Sequence, residues 1–407
     1  MNVDYYYVLL PLAMILLLSK FLTAGCRRIG LPQVVGMLIA GLLISLIKFI
    51  PSQNILNASS LEGLGFLAKI GVILIMFSAG LETDVKQIKA VGVPAIVITA
   101  FGVIVPLGLG FVVATLFNGG FSELGENVYS NLFYGVILTA TSVSVTVSTL
   151  KEMGKLSGKV GSTVVSAAIL DDVIGIIVLS LVLSLSQSGS GENAVIVLVK
   201  TILFFIAAFT IGTLLKKAFD ALDKRYPHHR RIPIWGLAMC FFFAYSAEKF
   251  FGVADITGAF VAGLMLAKNK DAEYIDRKSD ILSYMIFTPV FFANIGINTS
   301  FSGIDASFVW FGLAYVATAL VSKVIGCGGS ALALRYSVKD SLRVGIGMMA
   351  RAEVMLVCAQ KGVENGLVHQ EIMPFIVLII ILSSFLTPII LKLSYKKEEL
   401  PSPSIVA

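Results

Sequence analysis

Apolar residues form long, nearly unbroken runs along the chain, and short polar connections separate one run from the next. Each run is about 17 to 27 residues long, which is enough for a helix to cross the roughly 30 Å hydrocarbon core of a bilayer. The runs lack the strict alternation of apolar and polar residues that marks the strands of a membrane β-barrel. The pattern therefore predicts an all-α polytopic membrane protein.

Thirteen of these runs are predicted to be transmembrane helices. They cover residues 5–25, 32–50, 63–81, 91–116, 128–150, 160–186, 193–219, 233–251, 253–269, 281–297, 307–333, 341–361 and 371–393. The first run has no basic segment before it and no small-residue cleavage site after it. We therefore expect it to be a retained span rather than a signal peptide.

Composition supports the same class of protein. Of 407 residues, 57% are hydrophobic and 14% are charged, whereas a soluble domain has roughly 25% charged residues. The net charge of +6 comes without a basic stripe interleaved with aromatic residues, so we expect contact with membrane lipids and no nucleic-acid partner. Because no catalytic triad, metal-ligand spacing or dinucleotide-binding pattern is present, the sequence predicts neither an enzyme nor a cofactor.

Lysine and arginine cluster in alternate connections between the predicted spans. These clusters lie at residues 27–28, 86–89, 151–159, 216–231, 268–278, 335–343 and 392–397. The intervening connections are nearly free of basic residues. By the positive-inside rule, this alternation predicts an external N-terminus and a cytoplasmic C-terminus.

Few ionisable residues fall near the middle of the predicted spans. They are Asp171 and Asp172 in the sixth span, Lys323 in the eleventh, and Arg351 with Glu353 in the twelfth. A charged side chain at the centre of a helix in the bilayer costs about 2.5 to 3.5 kcal/mol on insertion scales. A functional role is therefore the working hypothesis for these charges.

Two spans are interrupted by residues that a lipid-facing helix does not favour. The fifth contains T-A-T-S-V-S-V-T-V at residues 139–147, and the twelfth contains G-I-G-M-M-A-R-A-E at residues 345–353. These spans occupy matching places in two groups, spans four to six and eleven to thirteen. Transporters use such paired, interrupted helices to bind ions at the midplane. The pattern predicts inverted repeats with two discontinuous helices.

Several motifs together resemble the monovalent cation:proton antiporter-2 family, in order from about residue 5 to 393. They are F-S-A-G-L-E at 77–82, T-A-T-S-V-S-V-T-V, A-A-I-L-D-D-V-I-G at 167–175, G-A-F-V-A-G-L-M-L at 258–266, P-V-F-F-A-N-I-G at 289–296, S-K-V-I-G at 322–326 and G-M-M-A-R-A-E-V at 347–354. The paired aspartates with a later lysine resemble the bacterial electrogenic sodium/proton antiporter type. The resemblance implies the sodium/proton antiporter fold, in which the two discontinuous helices cross.

The resemblance also implies that different segments of the chain have different functions. Residues 91–186 and 307–393 are expected to form the core ion-transport helices, and residues 1–90 and 193–300 the scaffold and dimerisation helices. Residues 394–407 are expected to form a short cytoplasmic tail. An elevator-type alternating-access mechanism, a homodimer and a location in the bacterial inner membrane follow from the same resemblance.

Exchange of Na⁺, or Li⁺, for H⁺ is the activity that the resemblance implies. The resemblance also implies that Asp172 is the main carrier of cation and proton, and that Asp171 pairs with Lys323 when Na⁺ is absent. Thr141 and Ser142 are expected to supply or orient oxygen ligands, so that Na⁺ binds at Asp172, Asp171 and Thr141. A carboxylate that binds either a hard cation or a proton makes the two ions compete for one site.

Structural roles remain alternatives for some of these residues. Asp171 and Lys323 could form an ion pair that only neutralises charge, and the hydroxyls of Thr141 and Ser142 could bond back to their own helix. Arg351 and Glu353 are predicted to be structural charges that bridge the broken helices and offset half-helix dipoles. The family normally has Gly between these two charges, where this chain has Ala352.

Two other functions remain open at this point. One is K⁺/H⁺ or mixed-cation antiport in the same scaffold, because ligand types alone do not set ion size. The other is a cation channel or a regulatory membrane protein. A channel has less support, because the intramembrane charges are few and no selectivity-filter repeat is present.

Overall fold

The computed structural model describes residues 6–28, 32–83, 92–120, 124–156, 158–187, 194–225, 231–267, 269–299 and 305–395. Within these ranges the secondary structure is helical and contains no β-strand. The predicted tail at 394–407 lies outside the described residues from position 396 onward, and so do Lys86, Lys89 and Arg230, which contributed to the predicted orientation.

The helices of the described ranges follow one another along the chain. The first group consists of α1 (Tyr6–Arg28), α2 (Gln33–Ser45), α3 (Ala58–Glu82), α4 (Val93–Phe117), α5 (Leu124–Thr139), α6 (Val143–Glu152), α7 (Lys159–Gln187) and α8 (Ala194–Arg225). The second consists of α9 (Arg231–Phe251), α10 (Asp255–Leu266), α11 (Ala272–Leu282), α12 (Thr288–Asn298), α13 (Ala306–Lys323), α14 (Gly329–Ala333), α15 (Val338–Gly347), α16 (Glu353–Glu364) and α17 (Met373–Tyr395).

Each predicted span corresponds to one of these helices or to two consecutive ones. The two predicted interruptions are confirmed, because α5 and α6 are separated at residues 140–142 and α15 and α16 at residues 348–352. In the described part of the chain, seven helical segments are long and apolar enough to cross a membrane, and three shorter apolar helices accompany them. The predicted spans therefore include short and broken helices as well as continuous ones.

Two further irregularities were not predicted. Residues Ser283–Phe287 form a π-helical turn between α11 and α12, and Val324–Gly328 form another between α13 and α14. A π turn does not alter the pattern of apolar and polar residues. It therefore cannot be detected from an apolar run in the sequence. Such turns occur frequently at functional sites.

Several helices begin at a polar residue whose side chain accepts a backbone hydrogen bond. Asn57 accepts from the Ser60 N–H at 2.8 Å, Asp305 from the Phe308 N–H at 2.7 Å, and Ser337 from the Asp340 N–H at 3.1 Å. Such caps satisfy donors that lack a partner inside the helix. The cap at Asn57 explains why α3 begins five residues before the predicted span at 63.

One compact unit contains residues 1–29, 33–89 and 176–300. In this unit α2 packs on α12, and α3 packs on α10. Glycines permit the first contact, since an added Cβ would lie 2.1 Å from the Ala293 carbonyl oxygen at Gly41 and 2.4 Å from that of Leu38 at Gly296. Close approach through small residues is a common way to join helices in a membrane.

The other compact unit contains residues 30–32, 90–175 and 301–407. In this unit α4 packs on α5 and α13, and α15 packs on the π turn Val324–Gly328. Its buried core is rich in small side chains, including Ala95, Ala167, Ala168 and Ala331. Both interrupted helices and all the predicted site residues belong to this unit.

We predict that Gly296→Ala destabilises the protein by about 1 to 3 kcal/mol, because the new methyl group would overlap the backbone of α2. Gly65→Ala is the matched control, since a Cβ at Gly65 in α3 meets no atom within 4 Å. Thermal unfolding in detergent should give a lower melting temperature for Gly296→Ala only. Equal melting temperatures for both variants would contradict the proposed contact.

Candidate functional site

A buried ion pair joins two helices of the second unit. The Lys323 ammonium donates hydrogen bonds to both carboxylate oxygens of Asp171, with Nζ–Oδ1 and Nζ–Oδ2 distances of 2.6 and 2.8 Å. The side chain of Lys323 is 0% exposed and that of Asp171 is 1% exposed. The pairing that the sequence predicted therefore exists in this structure, between α7 and the last residue of α13.

Asp172 follows Asp171 on α7 and is half-buried. Consecutive helical residues point about 100° apart, so the two carboxylates leave the helix in different directions. Asp171 is directed at Lys323. The helix thus carries one carboxylate held by the Lys323 ammonium and, next to it, a second, half-buried carboxylate.

The interruptions of the two broken helices meet each other. The Ser142 N–H, after the end of α5, donates to the Ala350 carbonyl oxygen at 2.8 Å. The Thr146 hydroxyl, on α6, donates to the Gly347 carbonyl oxygen at 2.7 Å. The predicted crossing of the discontinuous helices is therefore built from direct hydrogen bonds between the two interruptions.

Arg351 links this crossing to α13. Its guanidinium donates to the Ala140 carbonyl oxygen and, at 3.3 Å, to the Ala319 carbonyl oxygen. Arg351 is 0% exposed, and Ala319 lies one turn before Lys323. These contacts join the interruption that contains Arg351 to Ala140 in the other one and to α13; the structural role of Arg351 stays a prediction.

Serines of α17 hold the backbone around Arg351. The Ser383 hydroxyl accepts from the Arg351 N–H at 3.0 Å, and the Ser384 hydroxyl donates to the Arg351 carbonyl oxygen at 3.4 Å. Neither serine was predicted, because a serine within an apolar span has no local signature of such a contact. Only the packing of α17 beside the interruption identifies them.

The remaining predicted residues surround these contacts. Thr141 and Ser142 are both buried at the interruption after α5, and the Thr141 hydroxyl is 3.5 Å from the Thr139 carbonyl oxygen. Glu353 is half-buried as the first residue of α16, where a carboxylate is stabilised by the positive end of the helix dipole. The ligand roles of Thr141 and Ser142 stay predictions.

These groups can perform a limited range of chemistry. Carboxylate, hydroxyl and freed carbonyl oxygens are ligands for hard cations. A buried ammonium that is paired with a carboxylate can be released when a cation takes over that carboxylate. Within the described residues, no cluster of three or more His, Cys, Asp or Glu side chains has a geometry that would hold a metal ion.

Known proteins resemble this chain over nearly its full length. A family model described as sodium/hydrogen exchanger, transmembrane, matches residues 13–397. The Na(+)/H(+)-K(+) antiporter GerN of Bacillus cereus is 33% identical over 394 residues, which cover 95% of this chain and 96% of that protein. The Na(+)/H(+) antiporter of Enterococcus hirae is 29% identical and covers 91% of this chain and 94% of its own length.

A solved structure has the same fold. The sodium proton antiporter MjNhaP1 from Methanocaldococcus jannaschii superposes with a TM-score of 0.73 at 19% sequence identity. The match covers 96% of this chain and 97% of that chain. The predicted all-helical antiporter fold is therefore confirmed.

We predict that Asp171→Leu destabilises the protein by about 3 to 5 kcal/mol, because it leaves the Lys323 ammonium buried without its partner. The double variant Asp171→Leu/Lys323→Met replaces the pair with apolar side chains of similar size and should recover most of that loss. Thermal unfolding in detergent measures both effects.

Glu273→Gln provides the control for loss of an ion pair. It removes the exposed partner of Arg277, whose Nη2 lies 3.1 Å from Glu273 Oε1, and exposed pairs contribute only about 0 to 1 kcal/mol. If Asp171→Leu lowered the melting temperature no more than Glu273→Gln does, the Lys323–Asp171 pair would not contribute to stability.

Proposed function

The chain belongs to the sodium/hydrogen exchanger family, and from this membership we propose that it exchanges Na⁺ for H⁺ across a membrane. The observation that carries the proposal is the buried Lys323–Asp171 pair beside Asp172 on α7. Two carboxylates and one ammonium lie in a unit whose helices are otherwise mostly apolar. Burying such groups in a bilayer costs free energy, and charged residues inside transmembrane segments commonly mark ion pathways.

Competition at Asp172 is the basis of the proposed exchange. A carboxylate that is occupied by Na⁺ cannot hold a proton, so each ion leaves when the other binds. We propose that Na⁺ binds to oxygen atoms of Asp172, Asp171 and Thr141, with Ser142 orienting the polypeptide at the interruption. The burial of Thr141 and Ser142 supports this ligand set. At a buried site few water molecules can coordinate Na⁺, so protein hydroxyl groups would have to take their place.

Asp171 and Lys323 give the proposed cycle its charge movement. When Na⁺ draws on Asp171, the Lys323 ammonium loses its partner in a buried environment, which favours release of its proton. One proton from Asp172 and one from Lys323 would then exchange for one Na⁺, so the cycle would be electrogenic. A rival scheme keeps Lys323 charged and assigns both protons to the two aspartates.

Arg351 has a structural role in this proposal. Its guanidinium satisfies the Ala140 and Ala319 carbonyl groups and so stabilises the interruption without binding the transported ion. Glu353 places its negative charge at the start of α16. The charges of Arg351 and Glu353 thereby offset the ends of the half-helices.

A K⁺/H⁺ or mixed-cation antiporter is the second candidate. It is favoured by the similarity to GerN, whose name includes both Na⁺ and K⁺. Carboxylate and hydroxyl ligands do not by themselves select one monovalent cation. The choice among Na⁺, Li⁺ and K⁺ is therefore an experimental question at the same site.

We also propose the setting in which exchange takes place. The basic residues of alternate connections support an external N-terminus and a cytoplasmic C-terminus in the inner membrane of a bacterium. In an elevator-type mechanism, segments 91–186 and 307–393 would carry the ion. Segments 1–90 and 193–300 would form the scaffold and the contacts of a homodimer.

We predict that Asp172→Asn reduces exchange to the background of empty liposomes, because an amide offers an oxygen but cannot take up and release a proton. Exchange is measured in proteoliposomes from the proton flux after jumps of Na⁺, Li⁺ or K⁺. Glu364→Gln, a carboxylate change at the last residue of α16, is the control and should retain wild-type exchange. Full exchange by Asp172→Asn would remove this residue from the mechanism.

We predict that Lys323→Gln retains exchange but no longer generates current, because the glutamine amide can bond to Asp171 but cannot carry a proton. Charge movement is recorded on solid-supported membranes, and proton flux is compared with and without a valinomycin clamp of the membrane potential. Undiminished current from a folded Lys323→Gln protein would instead favour the scheme in which both protons travel on the aspartates.

A further inference from the structure

We propose that α4 positions the Lys323–Asp171 pair, with Gly102 and Thr99 as the residues that set the geometry between the two charged side chains. This inference rests on the proposed function, because it assigns these residues a role in Na⁺ exchange. Neither residue carries a charge or belongs to the motifs that predicted the site. Their role follows from what they contact.

Gly102 lies directly against the ion pair. A Cβ added at this position would lie 3.7 Å from Lys323 Nζ and 3.8 Å from Asp171 Oδ1, which are ordinary van der Waals distances. The same Cβ would lie only 2.6 Å from Cys327 Sγ. The absence of a side chain at Gly102 therefore makes room for Cys327 rather than for the charged atoms themselves.

Cys327 connects Gly102 to the ammonium. It lies in the π turn Val324–Gly328, which begins directly after Lys323, and it is 0% exposed. Its thiol donates to the Ile98 carbonyl oxygen of α4, at an S–O distance of 3.7 Å. Because Cys327 is buried and its side chain is short, we expect a displaced sulfur to shift the turn that follows Lys323.

Thr99 makes the corresponding contact with the carboxylate helix. Its hydroxyl is 2.9 Å from the Ala167 carbonyl oxygen of α7 and 2.8 Å from the Ala95 carbonyl oxygen of its own helix. Ala167 lies one turn before Asp171. The hydroxyl proton, shared with the Ala95 carbonyl oxygen, therefore links α4 to α7 at the turn that leads to the paired carboxylate.

These contacts share one face of α4, since residues 98, 99 and 102 lie on the same side of a helix. One part of the face holds the turn after Lys323, and the other holds the turn before Asp171. The turns next to both charged groups thus contact one helix, α4. Their separation decides how readily Na⁺ can replace the ammonium at Asp171.

Gly102→Ala tests this role. We expect the apparent KM for Na⁺ to rise by about tenfold and the pH of half-maximal exchange to change, since misplacement by about 1 Å can cost roughly 100-fold in rate. Gly108→Ala on the same helix is the matched control, because a Cβ at Gly108 meets no atom within 4 Å. That control should exchange Na⁺ with wild-type KM and pH dependence.

Cys327→Ala supplies the rescue. In the double variant Gly102→Ala/Cys327→Ala, the sulfur that the new methyl would overlap is gone, so the KM for Na⁺ should return to within about threefold of wild type. Because removal of the sulfur would also relieve any loss of stability caused by the overlap, the melting temperature of each variant is measured beside its KM. A double variant as impaired as Gly102→Ala alone would overturn the positioning role of Gly102.

Thr99→Val provides an independent measurement if Gly102→Ala fails to fold. It removes the hydrogen bond to α7 and should raise the KM for Na⁺. Thr115→Val is its control, because the Thr115 hydroxyl bonds to the Phe111 carbonyl oxygen within α4. Equal KM values and pH profiles for Thr99→Val and Thr115→Val would overturn the inference.

Wild-type protein and the two control variants separate this inference from the proposed function. If none of them exchanges Na⁺ for H⁺, the proposed function is wrong. If they all exchange Na⁺ for H⁺, and Gly102→Ala and Thr99→Val behave like them, only the positioning role is wrong.

Discussion

The structure depends on how a positive and a negative charge are kept together in the apolar interior of a helical bundle. Lys323 and Asp171 are both buried, and their bond distances of 2.6 and 2.8 Å leave no room for water between them. Removing such charges from water is unfavourable by several kcal/mol for each ion, and only close pairing offsets that penalty. The helices around the pair must therefore hold their positions closely. Small residues such as Ala167 and Ala168 pack in the core beside the pair, and Gly102 leaves room for the Cys327 side chain.

The helix interruptions obey a related constraint. Each break frees backbone donors and acceptors, and an unsatisfied group in hydrocarbon costs several kcal/mol. Ser142 bonds to Ala350, while the Arg351 guanidinium bonds to Ala140, so each interruption satisfies groups of the other. Ser383 of α17 supplies the partner for the Arg351 N–H. The two interruptions are thus mutually dependent, which explains why they occur as a pair in corresponding segments of the chain.

Much of this arrangement could be predicted from the sequence, because bilayer thickness and the penalty for buried charge act on local composition. The apolar runs predicted the helices, the hydroxyl-rich and glycine-rich stretches predicted both interruptions, and the family resemblance predicted the pairing of Asp171 with Lys323. The π turn after Lys323 and the contacts of Ser383, Thr99 and Gly102 could not be predicted. A serine, threonine or glycine in an apolar run has many equally suitable environments, and only the packing of neighbouring helices selects one.

Arg351 contacts both the helix interruptions and the helix that carries Lys323. Its guanidinium reaches both Ala140, at one interruption, and Ala319, one turn before Lys323 on α13. The backbone at the predicted ligands Thr141 and Ser142 is therefore tied to the helix that carries the ammonium. On the other side, Asp171 and Asp172 are adjacent on α7, so the paired carboxylate and the proposed ion carrier share one backbone. At the proposed site, a cation bound to Asp172 and Thr141 would act on two segments of the backbone that each lead to a contact with Lys323 or its helix. Each group in the proposed coupling is at most one helical turn from a residue that contacts the ion pair or Arg351, so a local shift at the bound cation would be passed to the Lys323–Asp171 pair through direct contacts.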